Sequence, residues 1–320
     1  MPKPVTIALI SSQFRTHYLL EAFGAEFPGA RLVLSDHGRT EADLSALDDI
    51  DIAVCWMPQH GLLRRMPNLR MVQSLGAGVD HITSDPGLPG VPLYRIVDPE
   101  MASGMAAYVC WAVTHHQCSI RGYLENQRRG IWEEQPIIPA SRHRVGIAGL
   151  GTLGQRCARA LAAIGYAVSG WSRTPKAQLP ENVLSWHGDD QLGDFLAQCD
   201  TLICLLPLTE QTRGILDARL FDRLPRGAHL INVGRGVHLV ERDLLQALDT
   251  GQLGAATLDT FVAEPLPADH PFWTHPRITV TPHIATRTSA ATIARQTRMN
   301  YEAMLAGRTT AGAVDRERGY

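Results

Sequence analysis

Short apolar runs separated by longer mixed stretches set the pattern of this chain. In the N-terminal part they fall at residues 5–10, 31–34, 52–56, 71–75 and 92–96, with amphipathic or polar stretches between them. Short apolar runs bounded by polar or glycine positions read as buried strands, and strands that alternate with helical stretches read as a parallel sheet. The beat restarts at residue 144, with runs at 145–148, 167–171, 202–206, 228–233, 255–258 and 278–280. The pattern predicts an α/β protein of two doubly wound parallel-sheet domains, the second larger.

Between the two sets, residues 101–121 are rich in alanine and apolar side chains and predict one long helix. An irregular polar stretch at 126–144 follows, with Trp132, Pro136 and Pro139, so that an arm over about 122–143 can cross to a partner subunit. Residues 289–305 look helical again after the second set of strands is complete, and a helix there can pack back on the first domain. The expected organisation is therefore a discontinuous domain, 1–101 plus 289–320, around a continuous one, 102–288.

Chemistry-bearing residues cluster just after the second set of strands. The strand at 145–148 runs into G-x-G-x-x-G, with Gly149, Gly151 and Gly154, and Thr152 and Leu153 open the helical pattern that follows. The first glycine permits a tight turn, the second lets a pyrophosphate approach the backbone, and the third lets helix pack on strand, with the anion at the helix N-terminus. A glycine triplet alone marks only a tight turn; the strand before it and the helix after it make a dinucleotide site. After the next strand the sequence reads Ser172, Arg173, Thr174, Pro175, Lys176, and no Asp or Glu stands where a ribose 2′-hydroxyl is held. Hydroxyls and cations there suit a 2′-phosphate, which favours NADP(H) and leaves NAD(H) possible.

Further along, Arg235 in N-V-G-R-G-V-H, Glu264 in L-D-T-F-V-A-E-P-L-P and His283 in T-P-H-I-A each follow a strand-like run, 29 and 19 residues apart. Loops at the carboxyl edge of a parallel sheet are where such folds bind ligands. Taken singly, the histidine reads equally as a structural residue, the glutamate as a solvated turn residue, and the arginine as a partner for water or a carboxylate.

Composition narrows the function classes. With 320 residues, a formal charge of −2 and 19% charged residues, the chain has the size of two domains and no basic stripe. Neither nucleic acid nor anionic membrane is expected as a partner on that ground. The six cysteines form no C-x-x-C pair and sit mostly in apolar stretches, so they read as buried reduced thiols in a cytoplasmic protein. Residues 5–10 are a first strand, too short for a signal sequence, and no apolar run approaches the ~20 residues of a membrane-spanning helix. His115 and His116 are adjacent on a helix and face different ways, with no carboxylate or cysteine at ligand spacing, so no metal is expected.

Together, G-L-G-T-L-G, L-P-L-T at 206–209, N-V-G-R-G, L-D-T-F-V-A-E-P-L-P and T-P-H-I-A resemble the D-isomer-specific 2-hydroxyacid dehydrogenases across nearly the whole chain. Within that family, W-S-R-T at 171–174, R-G-V-H at 235–238, L-G-A-G-V-D at 75–80 and V-D-R-E-R-G-Y at 314–320 look most like the branch that reduces glyoxylate and hydroxypyruvate. The resemblance implies a flavodoxin-like substrate domain that closes over the substrate and a Rossmann dinucleotide-binding domain through which homodimers form. It implies an NADPH-preferring reductase of short 2-oxo acids, with Arg235 binding substrate, His283 as the acid and Glu264 paired to it. Ala77 and Gly78 match backbone donors to the substrate carboxylate, and Trp56 a residue at the pocket's edge. Leu206, Pro207, Val233, Gly234, Asp259 and His283 match residues beside the dinucleotide, Asp259 near its nicotinamide amide. One departure is that residues 101–108 lack the acidic residue common in other branches. Two other functions remain open: a dinucleotide-sensing binding protein akin to the corepressors built on this fold, and an NAD-dependent dehydrogenase of a bulkier 2-oxo acid.

Overall fold

The computed structural model describes residues 4–36 and 47–316. The end of the V-D-R-E-R-G-Y segment, residues 317–320, lies outside the described residues. The chain divides into two compact units, Met1–Pro99 with Arg287–Tyr320, and Glu100–Thr286.

The first unit begins β1 (Thr6–Ser11), α1 (Leu20–Glu26), β2 (Arg31–Asp36), β3 (Ile52–Trp56), β4 (Met71–Ser74), α2 (Asp80–Thr83) and β5 (Leu93–Tyr94). Its five strands are all parallel and lie in the order β2-β1-β3-β4-β5. Every residue of β1 is buried, as expected of a strand covered on both faces.

The second unit continues with α3 (Pro99–Gln117), α4 (Ile120–Arg128), β6 (Arg144–Ala148), α5 (Thr152–Ile164), β7 (Ala167–Ser172), β8 (Val183–His187), α6 (Leu192–Leu196), β9 (Thr201–Cys204), α7 (Ala218–Phe221), β10 (Ala228–Asn232), α8 (Glu241–Asp249), β11 (Leu253–Leu258) and β12 (Ile278–Val280). Its seven parallel strands run β12-β11-β10-β9-β6-β7-β8. The order reverses between β6 and β9, which is the switch point where doubly wound sheets open a crevice beyond their carboxyl ends. Phe195, Phe221 and Phe272 are fully buried in the core on one side of this sheet. Each contributes roughly 1.5–3 kcal/mol relative to exposure. On α5, Gly154, Cys157, Ala158 and Leu161 form the buried i, i+3, i+4, i+7 stripe, and Gly165 in a left-handed conformation ends the helix.

The chain then returns to the first unit as α9 (Ala290–Leu305). The Ser289 hydroxyl accepts the Thr292 N–H as its N-cap, and Arg298 pairs with Glu26 of α1 at 2.7 Å.

The structure departs from the sequence expectations in four places. Strand β8 is additional to the six expected in the second sheet: it is an edge strand, Leu184 is 62% exposed, and one covered face does not require a continuous apolar run. The single helix expected over 101–121 is two, because Ser119 takes φ 53° and turns the chain between α3 and α4. The beginning of the expected arm is therefore helical, up to Arg128. Of the cysteines, Cys55, Cys157, Cys199 and Cys204 are buried, but Cys110 is half-buried and Cys118 exposed where the chain turns; all six are free thiols.

Candidate active site

The residues singled out in the second unit gather on the loops that leave the carboxyl ends of its strands. After β6, Gly149 adopts φ +110°, and a Cβ there would lie 2.6 Å from Leu205 O. A Cβ on Gly154 would lie 1.9 Å from Gly149 O, so helix and turn close on each other only with glycine at that position. Gly151, by contrast, opens on space and caps α5 with no side-chain hydrogen bond to the helix N-terminus. Thr152 is exposed and Leu153 half-buried in the first turn. A tight turn, an open second glycine and an uncapped thirteen-residue helix fit a dinucleotide pyrophosphate.

After β7, Ser172 is buried and its hydroxyl donates to Thr174 O (2.9 Å), while Arg173 and Thr174 are exposed. After β9, Leu206 is buried and Pro207 exposed, and the Thr212 hydroxyl donates to Pro207 O (2.7 Å). After β10, Val233 and Gly234 are buried and Arg235 is half-buried, with its Nη1 donating to Gly234 O (2.9 Å). The Asn232 side chain shapes this turn, accepting the Gly234 N–H (3.2 Å) and donating to Arg235 O (3.0 Å).

Glu264 and His283 meet directly. His283 Nδ1 lies 2.8 Å from Glu264 Oε2, and Glu264 Oε1 accepts the Phe261 N–H at 2.9 Å. Burial works to raise the Glu264 carboxyl; the hydrogen bond and charge of His283, the Phe261 N–H and the Arg235 charge outweigh it and hold Glu264 below its ordinary value of 4.5. An ionised acceptor at Oε2 places the Nδ1 hydrogen between the two and leaves Nε2 as the proton-transfer atom. His283 itself is held in the left-handed region, φ 52°, with its N–H donating to Thr281 O (3.0 Å). A β-substituted residue costs about 1–3 kcal/mol there, and that is tolerated only where the surroundings over-determine it.

Those surroundings are Asp259. Its carboxylate is 1% exposed and accepts from Thr281 Oγ1 (2.6 Å), Ile284 N (2.8 Å) and Ala285 N (2.8 Å), so it grips the His283 loop on both sides. Burial raises its pKa above the ordinary 3.8 against the pull of those bonds and of His283. Tyr108 extends the network, donating to Thr281 Oγ1 at 2.6 Å while Thr281 donates onward. Burial pushes the Tyr108 hydroxyl upward, so it stays a donor at any neutral pH. Neither Tyr108 nor Thr281 is among the residues that the sequence singles out. Thr281 sits two residues before His283 and is within reach of such a reading; nothing in the run around Tyr108 marks it.

In the first unit, Trp56 ends β3, donates from Nε1 to Gln13 Oε1 (2.9 Å) and packs against His81 with ring centroids 4.6 Å apart. Ala77 and Gly78 lie in the turn after β4, where the Ser74 hydroxyl accepts the Gly76 N–H and donates to Gly78 O. Among the described residues no three of His, Cys, Asp or Glu come together as metal ligands, and no helix is long and apolar enough to cross a membrane.

Comparison with known proteins agrees with this geometry. Residues 110–285 match the family described as D-isomer specific 2-hydroxyacid dehydrogenase, NAD binding domain. The glyoxylate/hydroxypyruvate reductase A of Yersinia enterocolitica is 45% identical over 278 residues, covering 84% of this chain and 88% of that one. Among solved structures, a D-isomer specific 2-hydroxyacid dehydrogenase of Xanthobacter autotrophicus in complex with NADPH is 38% identical with a TM-score of 0.89, over 99% of this chain and 100% of that one. The NADPH-dependent glyoxylate/hydroxypyruvate reductase of Sinorhizobium meliloti in complex with NADP is 36% identical with a TM-score of 0.90, over the same shares. With its sheet order, its glycine turn, the Glu264–His283 pair and these matches, the chain belongs to the D-isomer specific 2-hydroxyacid dehydrogenase family of oxidoreductases.

Proposed function

We propose that the protein reduces short 2-oxo acids with NADPH, glyoxylate to glycolate and hydroxypyruvate to D-glycerate. The observation that carries the reading is the 2.8 Å contact between His283 Nδ1 and Glu264 Oε2, at the carboxyl edge of the sheet that bears the glycine turn. Reduction of a ketone or aldehyde needs a hydride at carbon, a proton at oxygen and a grip that fixes the reacting face. The reduced dinucleotide supplies the hydride when bound. His283, as imidazolium, gives the Nε2 proton to the carbonyl oxygen, and Glu264 stabilises the charged ring and fixes its orientation. The planar guanidinium of Arg235 holds the substrate carboxylate and counters the negative charge growing on the carbonyl oxygen. Asp259 keeps the His283 loop in its strained backbone conformation. In the first unit, Ala77 and Gly78 are assigned as uncharged donors to the substrate carboxylate, and Trp56 as the residue that limits substrate size.

NADPH is assigned over NADH because the loop after β7 offers Ser172, Arg173 and Thr174 and no carboxylate, and relatives of this chain are described with NADPH or NADP bound. The partner we assign is a second copy of this chain. Trp132 is 96% and Ile137 90% exposed on the stretch that follows α4, side chains whose apolar area another protein surface would cover. The cytoplasm is the compartment we assign, on the ground of six free thiols.

Initial rates of NADPH and NADH oxidation with glyoxylate, hydroxypyruvate and phenylpyruvate test the reading. NADPH turnover of the two small acids is expected to be fastest. A preference for NADH, or for phenylpyruvate, overturns the cofactor or the substrate assignment respectively. Tight dinucleotide binding with no turnover of any of the three replaces the reductase with a sensor.

A further inference from the structure

His238 takes no part in the chemistry described so far, yet its ring sits between two of the loops that do. It ends the 3-10 turn Gly236–His238 immediately after Arg235 and is fully buried. Its Nδ1 accepts the Arg235 N–H at 3.0 Å, its own backbone N–H returns to Arg235 O at 3.1 Å, and Nε2 lies 3.4 Å from Pro207 O. A backbone N–H can only donate, so Nδ1 is the unprotonated nitrogen of a neutral ring and Nε2 carries the hydrogen toward the Pro207 carbonyl. One imidazole therefore links the segment after β10, which carries Arg235, to the segment after β9, which carries Leu206 and Pro207.

The seat for this ring is close-fitting. A Cβ on Gly234 would lie 2.9 Å from His238 Nδ1 and 3.4 Å from Leu206 O, and Cys204 Sγ is 3.8 Å from the same nitrogen. The turn is also clamped from behind: Leu216 N donates to His238 O and Gly214 N to Val237 O, each at 2.9 Å. An apolar side chain would fill such a hole without the cost of burying two ring nitrogens, so the imidazole is there for its two bonds.

We propose that His238 is a positioning residue for the reaction: through Nδ1 it fixes the backbone of Arg235 against the substrate carboxylate, and through Nε2–H it keeps the Leu206–Pro207 segment in place beside the dinucleotide. The proposal rests on the assignment of Arg235 to substrate and of Leu206 and Pro207 to cofactor made above.

Two substitutions separate the bonds. In His238→Asn the amide oxygen can take the place of Nδ1 and accept the Arg235 N–H, but the side chain is too short to reach Pro207 O. In His238→Gln the amide nitrogen can take the place of Nε2 and donate to Pro207 O, while the Arg235 N–H loses its acceptor. For His238→Gln the KM of the oxo acid is expected to rise about 10-fold, with kcat within about 3-fold and NADPH affinity unchanged. For His238→Asn the oxo-acid KM is expected to stay near wild type and NADPH to bind about 3-fold more weakly, the smaller figure reflecting the longer of the two bonds. Arg235→Gln is measured alongside. If Arg235→Gln leaves the oxo-acid KM unchanged, the assignment of Arg235 fails and the proposal with it. If Arg235→Gln raises KM but the two His238 variants lose the same parameters equally, or neither folds and binds dinucleotide, His238 is a core residue only and the proposal is overturned.

Discussion

Replacing Glu264 by glutamine removes one charge and almost no volume. In the structure one carboxylate oxygen accepts from Phe261 N and the other faces His283 Nδ1 at 2.8 Å. In Glu264→Gln the amide oxygen can keep the Phe261 bond, which turns the amide NH2 toward Nδ1. A donor there demands an unprotonated Nδ1 and favours the neutral ring, the wrong state for giving a proton to a carbonyl oxygen. The lost attraction between unit charges about 4 Å apart is about 4 kcal/mol at an effective dielectric of 20. With side chains 30% and 19% exposed, solvent screens part of it, and about 2 kcal/mol is the working figure. The expected result is a roughly 30-fold fall in kcat/KM for glyoxylate at neutral pH. NADPH affinity should not change. Steady-state rates at neutral pH, with dinucleotide binding followed by fluorescence, read both. Activity within about twofold of wild type, or a loss of NADPH affinity as large as the loss in rate, would refute the idea that Glu264 works by stabilising the imidazolium.

Three further outcomes follow from other parts of the second unit. Gly154→Ala puts a methyl 1.9 Å from Gly149 O, a backbone atom that cannot rotate aside, so dinucleotide affinity and Tm should both fall; a variant that binds NADPH normally would mean that the turn is not the pyrophosphate site. Charging the exposed apolar stretch with Trp132→Glu and Ile137→Glu should convert a dimer to a monomer in light scattering, and a wild-type monomer removes the assigned partner. His116 stacks on the buried His229 with ring centroids 4.2 Å apart, and burial, followed by the charges of His143 and His115, lowers it from 6.5 to about 4. Between those values the unfolded chain binds a proton that the folded one does not, so stability present above pH 6.5 is lost as the pH falls to about 4. Thermal melts should show that slope and His116→Gln should flatten it; an unchanged slope assigns the acid sensitivity elsewhere.

Much of this architecture is legible in the chain because buried parallel strands need mainly apolar residues, and β6, β7, β9, β10, β11 and β12 are each short stretches in which such residues predominate or recur between polar ones. Strand β8 escapes because an edge strand of Val, Leu, Ser, Trp and His has no such need. The break at Ser119 escapes because neither glycine nor proline marks it, and the left-handed residue is imposed by the fold rather than by local propensity. Among the site residues, the sequence by itself places Glu264 and His283 only in loops just past strands, and it is the family resemblance that implies their pairing. Asp259 falls on those loops by sequence, but its work does not show there: three hydrogen bonds from a segment more than twenty residues away come only with the folded chain. The same holds for His238, whose meaning lies in a contact with Pro207 that no spacing in the sequence announces.

The most direct test of the central claim, that His283 delivers the proton in an NADPH-dependent reduction, is a comparison of wild type with His283→Ala on glyoxylate, with NADPH binding measured on both. The expected result is a loss of about 10²- to 10⁴-fold in kcat with dinucleotide binding intact. A variant that turns over glyoxylate at near the wild-type rate would place the proton donor elsewhere and contradict the mechanism built on the Glu264–His283 pair.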